Sequence, residues 1–157
     1  MAITWVTAID NAGRFVAAIG KRRYTRKLLQ VGTPFVMSVP TAGMEELVVK
    51  IGGVHGDEDE EGGDKFSRLG IGKEECGDAG VPGVKNCCCY LICEVSRIDE
   101  GESDTDLVYA KIKHGLVKPE YWHKPKVKSD EASLFYGPPG GETLTFFGSG
   151  KFGRVVK

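Results

Sequence analysis

The sequence predicts a mainly antiparallel β-barrel with short helical insertions, and two features of its pattern support this fold class. Most β-favouring runs are short and are bounded by turn-forming residues or polar tips. Only a few segments show helical spacing, and these are short as well. Many short strands with few helices are typical of closed antiparallel sheets. We expect one domain over residues 1–157, because a chain of this length can bury a core of its own.

The N-terminal part is predicted to begin with a β-hairpin. The runs "ITWVTAI" (residues 3–9) and "RFVAAIG" (residues 14–20) favour strands, and the turn formers "DNAG" join them. Thr25 is predicted as the N-cap of a two-turn helix in "TRKLLQ", and Gly32 is predicted to stop that helix. The next strand is predicted over residues 34–40, "PFVMSVP".

A second helix is predicted in "AGMEELVVKIGG", residues 42–53, with Thr41 as its N-cap. Its apolar residues fall at helical spacing, and two glycines end the run. The acidic tract "DEDEEGGD", residues 57–64, is predicted as a mobile loop, because like charges repel and its glycines resist ordering. The following "DKFSRLG" is predicted to add one helical turn.

The C-terminal part is predicted to contain a second hairpin and one further strand. "CCCYLICEVSRID" (residues 87–99) and "DLVYAKIKHGLV" (residues 106–117) are rich in β-favouring residues, and the polar "EGESD" joins them. "ETLTFFG", residues 142–148, predicts the further strand. Residues 117–142 are rich in proline, lysine and aromatic residues, so we expect an irregular connection on the surface or on a partner.

The composition indicates an ordinary soluble globular protein. Charged residues make up 27% of the chain, hydrophobic residues 41%, and the formal net charge is -1. This near-neutral balance argues against a nucleic-acid partner. No apolar run approaches the roughly 18 residues needed to cross a bilayer, and the N-terminus lacks a secretory pattern. We therefore expect no membrane partner and a cytoplasmic location.

The cysteines predict a buried, reduced segment rather than a disulfide framework. Five of them, an odd number, crowd around one stretch of the chain: Cys76, Cys87, Cys88, Cys89 and Cys93. Three stand directly before the β-favouring "YLICEV", where cysteine serves as a small hydrophobic residue. Adjacent residues of a strand point to opposite faces, and no C-x-x-C spacing is present, so we predict no metal site.

The segment "IGKRRYT", residues 19–25, is the candidate for an anion site. It joins the end of a predicted buried strand to three adjacent cations and a threonine that precedes a predicted helix. A phosphate needs charge-assisted donors and free backbone N–H groups, and such a turn offers both. The alternative is a solvated turn in which Thr25 only caps the helix. Residue chemistry alone leaves the two interpretations open.

Residues 3–48, "ITWVTAIDNAGRFVAAIGKRRYTRKLLQVGTPFVMSVPTAGMEELV", resemble the flavin reductase-like family, FMN-binding split barrels that include flavoredoxin. The Arg-Tyr-Thr element with its following helix and proline is the most specific part of this resemblance. Further on, "GVHGDEDEEGGDKF" (residues 53–66) is similar to the family's G-x-SG-R-x-x-DKF pattern, and "YLICEV" is similar to a later core strand.

The resemblance implies a split barrel that holds FMN noncovalently at the interface of a homodimer. It implies a phosphate at the turn and an isoalloxazine ring near "TWVT", and so a cofactor site of nine residues: Thr4, Trp5, Thr7, Gly20, Lys21, Arg22, Arg23, Tyr24 and Thr25. The implied chemistry is that of a flavin-dependent oxidoreductase, which passes a hydride or electrons from a nicotinamide cofactor or an iron–sulfur donor. No side chain is then required as a catalytic acid or base.

The chain departs from the family pattern at three places. The family has a strand and turn before the segment with which this chain begins. The Ser-Gly-Arg of the family is replaced by His55 and Gly56 before the acidic tract, and its Gly-Asp-His by Ser103, Asp104 and Thr105. These departures favour an alternative, a degenerate split barrel that dimerises but binds flavin weakly or not at all. The intact "GKRRYT" favours the flavoprotein.

Overall fold

A computed structural model of the chain describes residues 1–56, 64–121, 144–148 and 151–154. Nine strands and three α-helices are assigned in these ranges, with short 3-10 turns at Gly77–Ala79 and Pro119–Tyr121. In chain order they are β1 (Val6–Ala8), β2 (Arg14–Gly20), α1 (Tyr24–Leu28), β3 (Pro34–Val39), α2 (Glu45–Gly53), α3 (Lys65–Leu69), β4 (Lys73–Glu74), β5 (Gly83–Val84), β6 (Cys89–Asp99), β7 (Thr105–Val117), β8 (Leu144–Gly148) and β9 (Lys151–Arg154). None of the helices in these ranges is long and apolar enough to cross a membrane.

One antiparallel sheet of five strands, in the order β1-β2-β7-β6-β3, organises the described chain. The short strands β4 and β5 form a second sheet, and β8 and β9 form a third. The predicted hairpin of residues 87–99 and 106–117 is confirmed as β6 and β7, which pair along most of their length. The mainly antiparallel β fold with few helices is therefore confirmed.

The β1–β2 hairpin is held by its turn residues. The Asp10 carboxylate accepts the backbone N–H groups of Ala12 at 2.9 Å and of Arg14 at 3.2 Å, and it also pairs with the Arg14 side chain. Gly13 lies in the left-handed region at φ 77°, where a residue without a Cβ is favoured. The predicted strand 14–20 is confirmed as β2, whereas β1 covers only three residues of the predicted 3–9.

The core lies against one face of this sheet. Phe15, Ala17 and Ile19 alternate along β2 and are buried, and Ala17 stands opposite Val108 of β7 in the register. Val108 and Val95 are each 1% exposed and pack in the same cluster. The residues between them on β2 point to the opposite face, because side chains alternate along a strand. That second face carries the candidate site.

Both predicted helix caps are wrong. Helix α1 begins at Tyr24, so Thr25 lies inside it, and Arg23 at the N-cap makes no side-chain cap hydrogen bond. The helix has five residues rather than two turns, and it ends before Gly32. Thr41 is buried and precedes α2 by four residues, because a turn through Gly43, at φ 92°, separates β3 from the helix. The predicted strand 34–40 and helix 42–53 are otherwise present as β3 and α2.

The acidic tract is only partly within the described chain. Residues 57–63 lie outside it, as do residues 122–142 of the predicted irregular connection. Asp64, the last residue of the predicted loop, is the N-cap of α3, and its carboxylate accepts the Ser67 N–H at 2.8 Å. The helical turn predicted in "DKFSRLG" is thereby confirmed, and Gly70 ends it in the left-handed conformation.

The cysteines occupy the interior, as predicted. Cys76, Cys87, Cys88 and Cys93 are buried and Cys89 is half-buried, and all five carry free thiols. Cys87 and Cys88 precede β6 rather than lying within it. Burial raises the pKa of the Cys87 thiol, and likewise that of the Cys93 thiol, to about 12. These thiols therefore stay protonated and act as small hydrophobic groups.

Candidate functional site

Strand β2 connects the two parts of the site predicted from the sequence. Its outer face presents Val16, Ala18 and Gly20 at every second position. The first two line a groove on the sheet surface, and Gly20 opens the cationic turn, residues 20–25, whose last two residues begin α1. The register pairs Val16 with Thr7 of β1, so the predicted segment 4–7 lies beside the same face.

The outer groove is open, mostly apolar, and about 370 Å³ in volume. Its lining comprises Thr4, Trp5, Val6, Thr7, Val16, Ala18 and Leu107. The structure thus brings together the three predicted residues of the "TWVT" segment and adds residues from β2 and β7. The Trp5 side chain is 70% exposed and Leu107 is 41% exposed, so large apolar surfaces face solvent here. Such a groove lies in the size range of small-molecule sites, roughly 300–1,000 Å³.

Sequence reasoning missed Val16, Ala18 and Leu107. The signal was present in the alternation along "RFVAAIG" and "DLVYAKI", which places these residues opposite the core-facing set. The alternation does not tell which face is the core, because both faces of β2 carry small apolar residues. The exposure of Trp5 and Leu107 shows that, within the described residues, the second face is open to solvent at the groove.

The backbone of the cationic turn is fixed by hydrogen bonds. The Arg23 N–H donates to the Gly20 carbonyl at 2.9 Å, and the Lys21 N–H donates to the Asp104 carbonyl at 2.8 Å. The second bond ties the turn to the connection between β6 and β7. At Gly20 a Cβ would meet only ordinary contacts, at 3.7 Å from the Arg23 side chain and 3.8 Å from the Asp104 carbonyl. Gly20 therefore leaves backbone open next to the groove.

The cations of this region fall into two groups. Lys21 donates from Nζ to the Gly101 carbonyl at 2.5 Å and lies 3.8 Å from Asp106 Oδ1. Arg26, one residue beyond the turn, donates from Nε to Asp106 Oδ2 at 2.7 Å. In contrast, Arg22 and Arg23 are exposed and have no side-chain hydrogen bond or ion pair within the described residues. These two guanidinium groups are free to bind an anion.

Tyr24 and Thr25 complete the predicted set at the start of α1. The Tyr24 ring lies against the backbone of Gly56, where a Cβ would come within 2.5 Å of Tyr24 Cδ1. The preceding residue, His55, accepts a hydrogen bond at its carbonyl from Arg68 at 2.7 Å. The loop that differs from the family pattern therefore reaches the cationic turn. Thr25 is half-buried beside it.

The third departure also lies at the turn. Thr105, at the position of the family's histidine, pairs with Gly20 in the β2–β7 register. The next residue, Asp106, is 3% exposed and was missed by sequence reasoning. It shares the inward-facing positions of β7 with Val108, and an aspartate at such a position predicts cationic partners, because a buried charge is costly unless it is paired.

The arrangement suits an aromatic ligand that carries a phosphate. The guanidinium groups of Arg22 and Arg23, which have no partner among the described residues, can donate several charge-assisted hydrogen bonds to phosphate oxygens. The apolar groove on the same strand face offers a surface for a flat ring. Among the described residues no group of three or more histidine, cysteine, aspartate or glutamate side chains is placed to hold a metal ion.

Comparison with known families and proteins gives information on the relatives of the chain that is independent of the site geometry. The sequence profile of the flavin reductase like domain matches residues 1–136. A comparison with curated protein sequences gives no match. Solved structures of similar fold were found, and in the three described next the chain covers more than two thirds of the relative.

One is an FMN-binding domain of a flavin reductases-like enzyme from Shewanella baltica OS155, with 20% identity, a TM-score of 0.76, and coverage of 100% of this chain and 78% of that one. Flavoredoxin of Desulfovibrio vulgaris (Miyazaki F) shows 16% identity and a TM-score of 0.77 at the same coverages. An NADH:FAD oxidoreductase of Streptomyces globisporus C-1027 shows 17% identity and a TM-score of 0.68, and covers 99% and 76%. At these identities the similarity establishes the split-barrel fold.

Proposed function

The chain belongs to the flavin reductase-like domain family, and from this membership and the site geometry we propose that it is an FMN-binding flavoprotein. The flavin is held noncovalently, with its phosphate at the cationic turn and its ring over the outer groove. The protein uses it to transfer a hydride or electrons. The proposed subcellular location of the protein is the cytoplasm.

The observation that carries this proposal is the continuity of β2. One strand face leads from an apolar groove to a turn where Arg22 and Arg23 have no protein partner among the described residues. A phosphate at that turn receives charge-assisted hydrogen bonds, and the ring removes apolar groove surface from water. The separation of charged and apolar surface along the strand matches the two ends of an FMN molecule.

The proposed ligand is FMN rather than FAD. Both flavins are named for relatives of this fold, in an FMN-binding domain and in an NADH:FAD oxidoreductase. A terminal phosphate can approach Arg22 and Arg23 from several directions, whereas a bridging pyrophosphate carries an adenosine that needs a second surface. We therefore expect FMN to bind more tightly than FAD.

A second copy of the chain is proposed to close the groove. Trp5 is 70% exposed and Leu107 is 41% exposed, and such surface next to a binding groove favours an apolar partner. A homodimer would bury both residues and would exclude water from the ring. The electron donor is proposed to be a nicotinamide cofactor or an iron–sulfur protein.

The flavin, when bound, supplies the redox chemistry, and the chain supplies orientation and electrostatics. Arg22 and Arg23 bind the phosphate and fix the position of the ligand along β2. Val16, Ala18 and Leu107 form the apolar floor, and Trp5 flanks it. The only side-chain hydroxyls among the described groove residues belong to Thr4 and Thr7, which donate hydrogen bonds to a ring and do not act as acids or bases.

A second candidate is a dimeric split barrel with weak or absent flavin binding. It is favoured by Thr105, which stands opposite Gly20 where the family pattern has a histidine. A threonine leaves more open space beside the turn than a histidine would. The two candidates differ in one property, the affinity for flavin.

Gel filtration with absorption detection tests the proposal. Purified protein is incubated with excess FMN, with riboflavin in a parallel sample, and separated from free ligand. We expect flavin absorption bands at about 370 and 450 nm to co-elute with the protein in the FMN sample, because these bands belong to the bound cofactor. Arg23→Ala should release FMN and leave riboflavin binding unchanged. No retained flavin at saturating FMN would favour the second candidate.

A further inference from the structure

We propose that Asp106 is the positioning residue of the cationic turn. It holds Lys21 and Arg26 within the fold and thereby leaves Arg22 and Arg23, fixed in place, as the two ligands of the flavin phosphate. That the ligand is a flavin phosphate rests on the proposed function, whereas the role of Asp106 in fixing the turn concerns the protein alone. Lys21, which the family resemblance places in the phosphate site, becomes a supporting residue.

Both carboxylate oxygens of Asp106 are occupied. Arg26 Nε donates to Oδ2 at 2.7 Å, the Gly101 N–H donates to Oδ1 at 3.3 Å, and Lys21 Nζ lies 3.8 Å from Oδ1. The Asp106 side chain is nearly inaccessible to water, and that of Arg26 is largely buried. A carboxylate at this depth is costly unless it is paired and hydrogen-bonded, so both cations are needed where they stand.

The turn is therefore clamped at two points. On one side, Lys21 bonds through its backbone N–H to Asp104 and through Nζ to Gly101, both in the β6–β7 connection. On the other side, Arg26 is bonded to Asp106 in β7. Arg22 and Arg23 lie between the two clamps. Their backbone is fixed before any ligand arrives, which reduces the entropy lost when they bind an anion.

A purely electrostatic role for Asp106 predicts the opposite change in FMN affinity from a positioning role when the carboxylate is removed. A carboxylate near an anion site repels the anion, so its removal should strengthen phosphate binding. Loss of a positioning residue should weaken it, because the turn gains conformational freedom. The sign of the change in FMN affinity for Asp106→Asn therefore separates the two roles. Asp99→Asn is the matched control, since Asp99 pairs with the exposed Arg97 at the surface.

The first measurement is amide hydrogen exchange of the ligand-free protein. In Asp106→Asn we expect the Lys21 and Arg23 amides to exchange about 10-fold faster, because local opening of the turn becomes easier. The Val108 amide, further along β7, should keep its protection, as should all of these amides in Asp99→Asn. Unchanged exchange at the turn would overturn the positioning role.

The second measurement is the affinity for FMN and for riboflavin by equilibrium titration. Asp106→Asn should weaken FMN about 5-fold through the lost preorganisation and leave riboflavin unchanged, so that the ratio of the two affinities falls. A general loss of structure would weaken both flavins equally and would overturn the proposal. Tighter FMN binding would overturn it as well, in favour of the electrostatic role.

A double variant covers the case in which Asp106→Asn does not fold. Asp106→Leu with Arg26→Met replaces the buried ion pair by apolar groups, an exchange that often preserves stability. It still removes the clamp between Arg26 and Asp106, so the same fall in the FMN-to-riboflavin ratio is expected, and an unchanged ratio contradicts the inference. If the wild-type protein binds no flavin, the proposed function fails together with the phosphate role, and the exchange measurement still decides whether Asp106 holds the turn.

Discussion

The two ends of the candidate site are built differently. The cationic turn is braced within one chain by the contacts of Lys21 and by the buried pair of Arg26 and Asp106. In the part of the chain that the structure describes, no side-chain hydrogen bond braces the outer groove, and its largest residue, Trp5, is mostly exposed. Within the described residues the charged end is braced in a single chain, whereas we propose that a ligand or a second copy covers the apolar end. Substitutions at the two ends should therefore differ in their effects on flavin affinity and on stability.

The largest effect is expected at the charged end. Replacing Arg22 and Arg23 together by methionine removes the free guanidinium groups, and two lost charge-assisted hydrogen bonds should weaken FMN about 100-fold. Riboflavin, which lacks the phosphate, should bind as before. Arg14→Met is the control, because Arg14 lies at the other end of β2 and pairs with Asp10 at the surface. Equal losses for FMN and riboflavin would remove the distinction between the two ends.

The next prediction compares the two faces of β7. Val108→Ala should lower the free energy of unfolding by about 2 kcal/mol, because Val108 is 1% exposed and its truncation leaves a cavity. Leu107→Ala should lower it by less than about 1 kcal/mol, since much of that side chain is already in water. Urea denaturation without flavin measures both values. A larger loss for Leu107 would show that the groove face supports the fold rather than a ligand.

A smaller effect is expected for Trp5→Ala at the apolar end. The indole is exposed, so stability of the single chain should hardly change, while flavin affinity should fall about 10-fold through the lost aromatic contact. The loss should be the same for FMN and riboflavin, because Trp5 lies in the groove and not at the turn. Quenching of flavin fluorescence on titration reports both affinities. A loss confined to FMN would place the phosphate in the groove.

The smallest prediction concerns the cysteine-rich core. Burial raises the pKa of the Cys87 thiol from 9.0 to about 12. The buried, protonated thiol therefore contributes its full stabilising effect below pH 9, and this effect is lost as the pH rises toward 12. Between pH 9 and 10 the thiol should account for a fall of about 1 kcal/mol in the free energy of unfolding. Urea denaturation of the wild-type protein and Cys87→Ala measures this, and the variant should show the shallower fall. Identical slopes would contradict the burial argument.

The sequence predicted the strands better than the helix boundaries. Alternation along "RFVAAIG" is a strong local signal, and β2 has the predicted limits. Thr25 and Thr41 were predicted as caps because threonine favours that position, but the turn into α1 is fixed by a contact distant in sequence, and a turn through Gly43 separates Thr41 from α2. At the first helix, for instance, Lys21 is bonded to Asp104, so the chain enters α1 at Tyr24.

The site was predictable where its residues are consecutive and not where strands bring them together. The segments 4–7 and 20–25 were predicted from the family resemblance, which local motifs carry, and β2 brings them to one face. Leu107 and Asp106 are distant in sequence from both and enter through the β2–β7 register. No local pattern tells that Lys21 is already paired with a buried carboxylate while Arg22 and Arg23 are not. That division is a property of the tertiary structure.

The most direct test of phosphate binding at the cationic turn is an equilibrium titration of the wild-type protein with FMN and with riboflavin under the same conditions. If the phosphate binds at the cationic turn and the ring in the outer groove, FMN should bind about 100-fold more tightly than riboflavin, and added salt should reduce that preference. Equal affinities for the two flavins, or no binding of FMN at saturating concentration, would contradict the account.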